Sequence, residues 1–210
     1  MPISGSKDWI LPVAPDMLYT EIVIAGCGNP LYADDGFGPA VAESLQDVLF
    51  SDNVRVLDAG TSGPEIVFPL LDPKITKHLL IIDIVDFGAK PGTLTLLRPD
   101  DFPPGRLRDV HVGGIIGSLP GLTGIDVTII GCQPGHVTDP VMEIGLSEEV
   151  LHAIPRTVRL VRDIVVNAQG IVPESYQENY SCMLAGHSGF NPENPYRTIL
   201  RPAGRIPGSS

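Results

Sequence analysis

The sequence predicts an α/β protein with three layers, α/β/α, around a mostly parallel, twisted central sheet of about five strands. Three observations predict this fold. Short apolar runs alternate along the chain with segments of helical spacing. The run His78–Val85 is apolar except for His78 and Asp83, which is typical of a strand buried on both faces. The first two apolar runs are followed by glycine-rich turns, which end a strand cleanly.

The expected elements follow one another in a regular order. The strands are Glu21–Gly26, Val54–Asp58, His78–Val85, Thr93–Leu97 and Asp126–Gly131. The helices are a segment from Gly36 to about Val48, then Glu65–Leu71, a short helix over Val112–Leu119, and a last helix from Ser147 to about Ala168. Pro64 suits a helix start, because a missing N–H costs nothing there. Pro155 lies inside the last helix and predicts a kink or a restart.

The length of 210 residues fits one domain with additional segments. Residues 1–20 contain three prolines and no clear periodicity, which predicts an irregular lead-in. Residues 21–170 form the expected single α/β domain. Residues 171–210 are rich in Pro, Asn and Ser and are expected to be a loosely ordered tail or one that wraps over the body.

Composition excludes several classes of function. A net charge of -11, with 25 acidic against 14 basic side chains, argues against binding to nucleic acid or to an anionic membrane. The N-terminus lacks the pattern of a signal peptide, and no segment is apolar enough for a spanning helix. The 3 cysteines are too widely spaced for a disulfide framework. A cytoplasmic protein is therefore expected.

Acidic residues recur where the predicted strands end. They are Asp34 and Asp35 after the first strand, Asp58 in the second, and Asp83 and Asp86 in and after the third. His111 follows the fourth strand. Ligands gather at the carboxyl ends of strands in an open parallel sheet. Two carboxylates and one imidazole, Asp35, Asp83 and His111, would form an oxygen and nitrogen site with open positions for a divalent ion of the nickel or zinc type.

Each of these residues also has an ordinary structural interpretation. Asp34 is expected to cap the helix that begins near Gly36 or to lie in its first turn, which leaves Asp35 to face the cleft. Asp83 alone would suit a hydrogen-bonded strand end, and His111 alone would be a loop histidine. Cys27 and Cys132 are interpreted as small buried apolar residues. Cys182 and His187 in the tail have a spacing that suits a metal ion, but the favoured interpretation is that they have no function.

Several common motifs are absent. A dinucleotide fingerprint would need a third glycine where Leu31 stands. The chain has no HExxH pair of a zincin protease and no GxSxG elbow of a serine hydrolase.

Five segments resemble, in order and spacing, those of the hydrogenase maturation endopeptidases, which process the large subunits of NiFe hydrogenases. The segments are Gly26–Gly38, Leu57–Gly63, His78–Gly92, His111 before a short helix, and Gly131–Pro134 together with Ile144–Ser147. The resemblance covers about residues 20–168. The first segment, with the lead-in and the tail, is similar to the branch associated with coenzyme F420-reducing hydrogenases.

The resemblance implies removal of a C-terminal peptide from the precursor of the large subunit after nickel insertion. It implies Asp35, Asp83 and His111 as catalytic and metal-contacting residues. The nickel is carried by the substrate, and another divalent ion is able to occupy the site of the isolated protein. The protease would dock onto the nickel beside the scissile bond, so that a nickel-free precursor is left uncut. Asp35, Asp83 and a metal-bound water all remain open as the group that activates the attacking water.

Two other functions share part of this sequence pattern. Peptidyl-tRNA hydrolases share a Gly-x-Gly-Asn-Pro run, but they need a histidine soon after it, and the region Leu31–Phe50 has none. The basic surface for tRNA is also missing. A non-catalytic escort of the nickel-loaded large subunit would use the same three residues, and the sequence leaves it open.

Overall fold

The central sheet has its strands in the order β2-β1-β3-β5-β4 in the computed structural model, which describes residues 18–99 and 115–168. The strands are β1 (Ile22–Cys27), β2 (Val54–Gly60), β3 (His78–Ile84), β4 (Leu94–Leu97) and β5 (Asp126–Cys132). β4 pairs antiparallel with β5, whereas the other pairs are parallel. The expected mostly parallel sheet is confirmed, and its antiparallel strand lies at one edge.

Helices cover both faces of the sheet. They are α1 (Phe37–Gln46), α2 (Gly63–Val67), α3 (Glu148–Leu151) and α4 (Ile154–Ala168), with further 3-10 helices at Asp34–Gly36, Phe68–Leu70 and Ile115–Gly121. α1 and α4 bury their apolar side chains on one face. α2 and the 3-10 helix Ile115–Gly121 do so on the opposite face. This arrangement confirms the three layers, α/β/α.

Side chains of β3 alternate between the two faces, as the pleat of a strand requires. Leu80 and Ile82 pack in the layer of α1 and α4. Leu79 and Ile81 pack in the layer of α2. By this alternation Asp83 belongs to the α2 side of the sheet.

The expected boundaries need small corrections. The last helix restarts as expected, since α3 ends at Leu151 and α4 begins at Ile154 with Pro155 in its first turn. The expected helix Glu65–Leu71 begins earlier, at Gly63, and ends as a 3-10 helix. The short helix before β5 is a 3-10 helix over the part that is described. No helix in residues 18–99 or 115–168 is long and apolar enough to cross a membrane.

Close backbone contact between β1, β3 and α1 depends on glycine. A Cβ atom at Gly38 would lie 2.1 Å from the carbonyl oxygen of Cys27 and 2.5 Å from that of Ile82. A Cβ atom at Gly26 would lie 2.2 Å from the carbonyl oxygen of Gly38. Because these neighbours are backbone atoms of packed elements, they cannot move aside. The two glycines therefore let the start of α1 lie directly on the carboxyl ends of the strands.

We expect Gly38→Ala to lower the free energy of unfolding by about 3 kcal/mol or to prevent folding, because the added methyl group would overlap two strands. Gly117→Ala is the matched control, since a Cβ atom there meets nothing within 4 Å. Urea unfolding followed by circular dichroism compares the two variants. Equal unfolding midpoints for both variants would contradict the steric argument.

Candidate active site at the carboxyl edge of the sheet

Two of the three predicted site residues lie where β1 and β3 end. Asp35 is in the 3-10 helix Asp34–Gly36, between β1 and α1. Asp83 is the last residue but one of β3. Both side chains are buried, with exposed fractions of 0% for Asp35 and 2% for Asp83. Carboxylates are expensive to bury, so their position at the edge where parallel-sheet proteins bind ligands favours a functional role.

The loop after β1 folds tightly against Asp35. The backbone N–H of Asn29 donates to Oδ2 of Asp35 at 2.9 Å. Gly28 has a φ of +127°, and a Cβ atom there would lie 2.0 Å from the carbonyl oxygen of Asp35 and 2.9 Å from its Oδ1. Only glycine satisfies both the backbone angle and this close approach. The Gly-Cys-Gly-Asn run therefore positions a carboxylate, and it does not form a dinucleotide-binding loop.

Asp83 acts electrostatically on the Cys27 thiol. Its Oδ1 accepts a hydrogen bond from the backbone N–H of Ile84 at 2.8 Å. Burial raises the pKa of the Cys27 thiol far above its ordinary value, and the nearby carboxylates of Asp83 and Asp58 raise it further. The Cys27 thiol is consequently neutral at neutral pH and is a poor nucleophile.

Cys132 is equally unreactive. Burial raises the pKa of its thiol to about 12. Both Cys27 and Cys132 are free thiols with side chains in the apolar layers of the core. The interpretation of these two cysteines as small buried apolar residues is confirmed.

Asp34 has a different role from the expected helix cap. Neither the 3-10 helix Asp34–Gly36 nor α1 has a side-chain cap hydrogen bond. Instead, the fully buried Asp34 accepts hydrogen bonds from the backbone N–H groups of Gly135, His136 and Ser147 and from the Ser147 hydroxyl, at 2.6–2.9 Å. Asp34 lies in the first turn of the 3-10 helix that leads into α1, as expected, but it does not cap either helix, because the N–H groups of a distant loop occupy its carboxylate. Asp34 and Asp35 do point to different surroundings, as expected.

The segment held by Asp34, residues 135–147, is called the anchored loop below. Its backbone also pairs with residues 31–34: Glu143 donates to Leu31, and Ala33 donates to Glu143. Ala33 has a φ of 56°, which is unfavourable for a residue with a side chain. The surrounding hydrogen bonds hold this strained residue directly before the two aspartates.

Gln133 is a structural residue of the site that sequence reasoning missed. Its side-chain carbonyl accepts hydrogen bonds from the backbone N–H groups of Phe87 and Ala89, and its amide donates to Asp86. It therefore fixes the chain that follows Asp83. The signal in the sequence was an amide side chain directly after the apolar run of β5, and the structure shows that this side chain is buried.

The third predicted residue, His111, lies outside the described residues, as do Cys182 and His187 of the alternative metal site. Within residues 18–99 and 115–168, no group of three His, Cys, Asp or Glu side chains is placed to hold a metal ion. The description resumes at Ile115, whose side chain lies beside Gly63 and close to Cys27.

The sheet order and the buried carboxylates place this chain among α/β proteins whose candidate site lies at the carboxyl edge of a mostly parallel sheet. Similarity to known proteins identifies the family. The family model for hydrogenase maturation proteases (HycI) matches residues 39–164. The coenzyme F420 hydrogenase subunit delta of Methanothermobacter thermautotrophicus is 39% identical over 148 residues, 68% of this chain and 93% of that protein. A putative hydrogenase maturation protease of Methanocaldococcus jannaschii is 38% identical over 145 residues, 67% of this chain and 94% of that protein.

Solved structures agree with these sequence relatives. The NiFe hydrogenase maturation protease HycI from Thermococcus kodakarensis aligns with a TM-score of 0.57 at 26% identity, over 70% of this chain and 92% of that one. The hydrogenase maturating endopeptidase HybD from E. coli aligns with a TM-score of 0.56 at 26% identity, over 72% and 94% of the two chains.

The chain belongs to the hydrogenase maturation protease family. Proteases of this family cleave a C-terminal peptide from the large subunit of a hydrogenase. The predicted resemblance is confirmed, and the peptidyl-tRNA hydrolase interpretation is excluded.

Proposed function

We propose that this chain is a cytoplasmic endopeptidase that cuts the large-subunit precursor only after nickel has been inserted, by docking onto the nickel of its substrate. The observation that carries the proposal is the pair of buried carboxylates, Asp35 and Asp83, where β1 and β3 end. Burying an ionised carboxylate among apolar side chains costs free energy, and binding of a cation would offset that cost. The negative potential that acts on Cys27 supports the same conclusion.

Asp35, Asp83 and His111 are the proposed contacts to the nickel ion, and they are also the proposed catalytic residues. Carboxylate and imidazole ligands suit nickel, and a site with open positions leaves room for the thiolates that already hold the ion in the precursor. Docking fixes the scissile bond relative to a water molecule. Asp35, Asp83 or a metal-bound water is the proposed activating group, in a metal-directed reaction that uses aspartates.

The proposed substrate is the large-subunit precursor of a coenzyme F420-reducing hydrogenase. The support is the printed name of the relative from Methanothermobacter thermautotrophicus, together with 39% identity over 93% of its length. The acidic balance of the chain, -11, is compatible with a partner that brings a cation.

The test mixes the purified protein with nickel-loaded and nickel-free precursor and follows the intact mass of the large subunit. We expect a C-terminal peptide to be lost from the loaded form only. Equal cleavage of both forms would contradict the nickel dependence. No cleavage of the loaded form would contradict a protease acting on this substrate.

A second candidate, an escort that binds the loaded subunit without cutting it, is favoured by one observation. The relative from Methanothermobacter thermautotrophicus is named as a subunit of the hydrogenase. The same mixture distinguishes the two functions, because an escort would co-elute with the loaded large subunit in size-exclusion chromatography and leave its mass unchanged.

A further inference from the structure

The anchored loop exposes a set of large apolar side chains beside the candidate site. The exposed fractions are 68% for Val141, 71% for Met142 and 82% for Ile144. Leu31, in the loop that leads to Asp35, is 39% exposed. These four residues are called the apolar rim below. Contiguous exposed apolar groups on a soluble domain commonly mark a surface that another chain covers.

The exposure does not arise from a loosely held segment. Both ends of the anchored loop bind one buried carboxylate, since Gly135 and Ser147 both donate to Asp34. Its middle is fixed by backbone hydrogen bonds from Glu143 to Leu31 and from Val141 to Thr138. A loop held at both ends and in the middle keeps its outward side chains in place, as compact loops that carry function do.

The rim is continuous with the candidate site. Leu31 is four positions before Asp35, and the bridges from Tyr32 to Glu143 and from Ala33 to Val137 join the two loops into one surface. Four residues of chain span at most about 14 Å, so Leu31 lies within that distance of Asp35, and a polypeptide bound at Asp35 would lie within a few residues of this surface. The site itself is acidic and the rim apolar, so the two recognise different parts of one substrate.

We propose that the apolar rim binds apolar side chains of the precursor segment that flanks the scissile bond. The inference rests on the proposed function, because it takes the same precursor as the partner. The rim contributes binding that is equal in the ground state and the transition state, whereas the carboxylates act on the reaction itself.

The kinetic test uses the full chain with Val141→Thr, Met142→Gln and Ile144→Thr, which replace apolar groups by polar ones of similar or smaller size. For cleavage of the nickel-loaded precursor we expect KM to rise about tenfold, with kcat changed less than about twofold. Leu49→Gln is the control, because Leu49 is fully exposed beyond the end of α1. If the wild type cleaves and the triple variant has an unchanged KM, the proposed role of the rim is overturned, whereas the proposed protease activity is not.

Photo-crosslinking identifies the occupant even when no cleavage occurs. A photoreactive amino acid at position 142 is expected to capture the precursor, at a peptide next to its scissile bond, and one at position 49 is not. A crosslink from position 142 into a second copy of this chain, or into residues 169–210 of the same chain, would overturn the proposal. Equal capture of the precursor from both positions would also overturn it. Specific capture without any cleavage would contradict the proposed protease activity and support binding of the precursor at the rim.

Discussion

Asp83→Asn is expected to lower the rate of precursor cleavage at least about 100-fold with little change in folding. Asparagine has nearly the same shape as aspartate, so the hydrogen bond that Asp83 accepts from Ile84 is retained. What is lost is the negative charge next to the proposed nickel position, and an amide N–H group replaces one oxygen ligand. The intact mass of the nickel-loaded precursor over time measures the rate.

Asp47→Asn is the matched control, since Asp47 is exposed at the opposite end of α1 from the site. His111→Ala in the same assay tests the third proposed residue, with the same loss of rate expected. Circular dichroism and the unfolding midpoint check that each variant is folded. A folded Asp83→Asn or His111→Ala protein that cuts at the wild-type rate would remove that residue from the site.

The second large effect concerns stability. Asp34→Asn is expected to lower the free energy of unfolding by about 3 kcal/mol or more, because hydrogen bonds to a buried charge are strong and their donors would be left poorly paired. The amide group that replaces one oxygen would face N–H donors of the anchored loop. Gly135, His136 and Ser147 all donate to this carboxylate, so the loss is shared along the loop.

Two measurements check the Asp34 prediction. Urea unfolding gives the stability, and hydrogen exchange is expected to accelerate at the amides of Gly135, His136 and Ser147. Glu143→Gln is the control from the same loop, because the ion pair of Glu143 with His136 is more than half exposed, and its removal is expected to change stability by less than about 0.5 kcal/mol. If Asp34→Asn matches that control in stability and exchange, the anchoring role is refuted.

The sheet was predictable because its strands are dominated by one physical requirement. Residues of β1, β3 and β5 are buried on both faces, so their apolar runs are continuous and unambiguous. The same runs placed Asp35 and Asp83 by their distance from strand ends. The sequence did not show why residue 38 is a glycine. The structure shows that a Cβ atom there would collide with backbone atoms of two strands.

Helix ends were less predictable. Pro155 correctly predicted a kink or restart of the last helix, because a proline has no N–H group and does not fit a helix interior. α2 is short and continues as a 3-10 helix, in which Pro69 has no N–H group to donate to the preceding turn. The direction of β4 was also not readable from composition, since parallel and antiparallel strands at an edge have similar residues.

The hydrogen-bond partners of Asp34 were not predictable. The sequence placed it correctly at the nearest helix start, where acidic residues are common, but it does not cap that helix. The actual donors are separated from Asp34 by more than a hundred positions in the chain, so no local pattern contains them. The apolar rim escaped notice for the same reason. Val141, Met142 and Ile144 have no period that marks them as core or surface, and only their exposure in the fold identifies them.

The sequence by itself determined the layered α/β architecture, the family and the two aspartates at strand ends, because burial and strand periodicity are written in neighbouring residues. Only the tertiary structure showed that Asp34 anchors a distant loop, whereas Asp35 accepts a hydrogen bond from the loop after β1. It alone showed that the anchored loop carries exposed apolar side chains. Hydrogen-bond partners and exposure depend on segments that are distant in the chain and meet only when it folds.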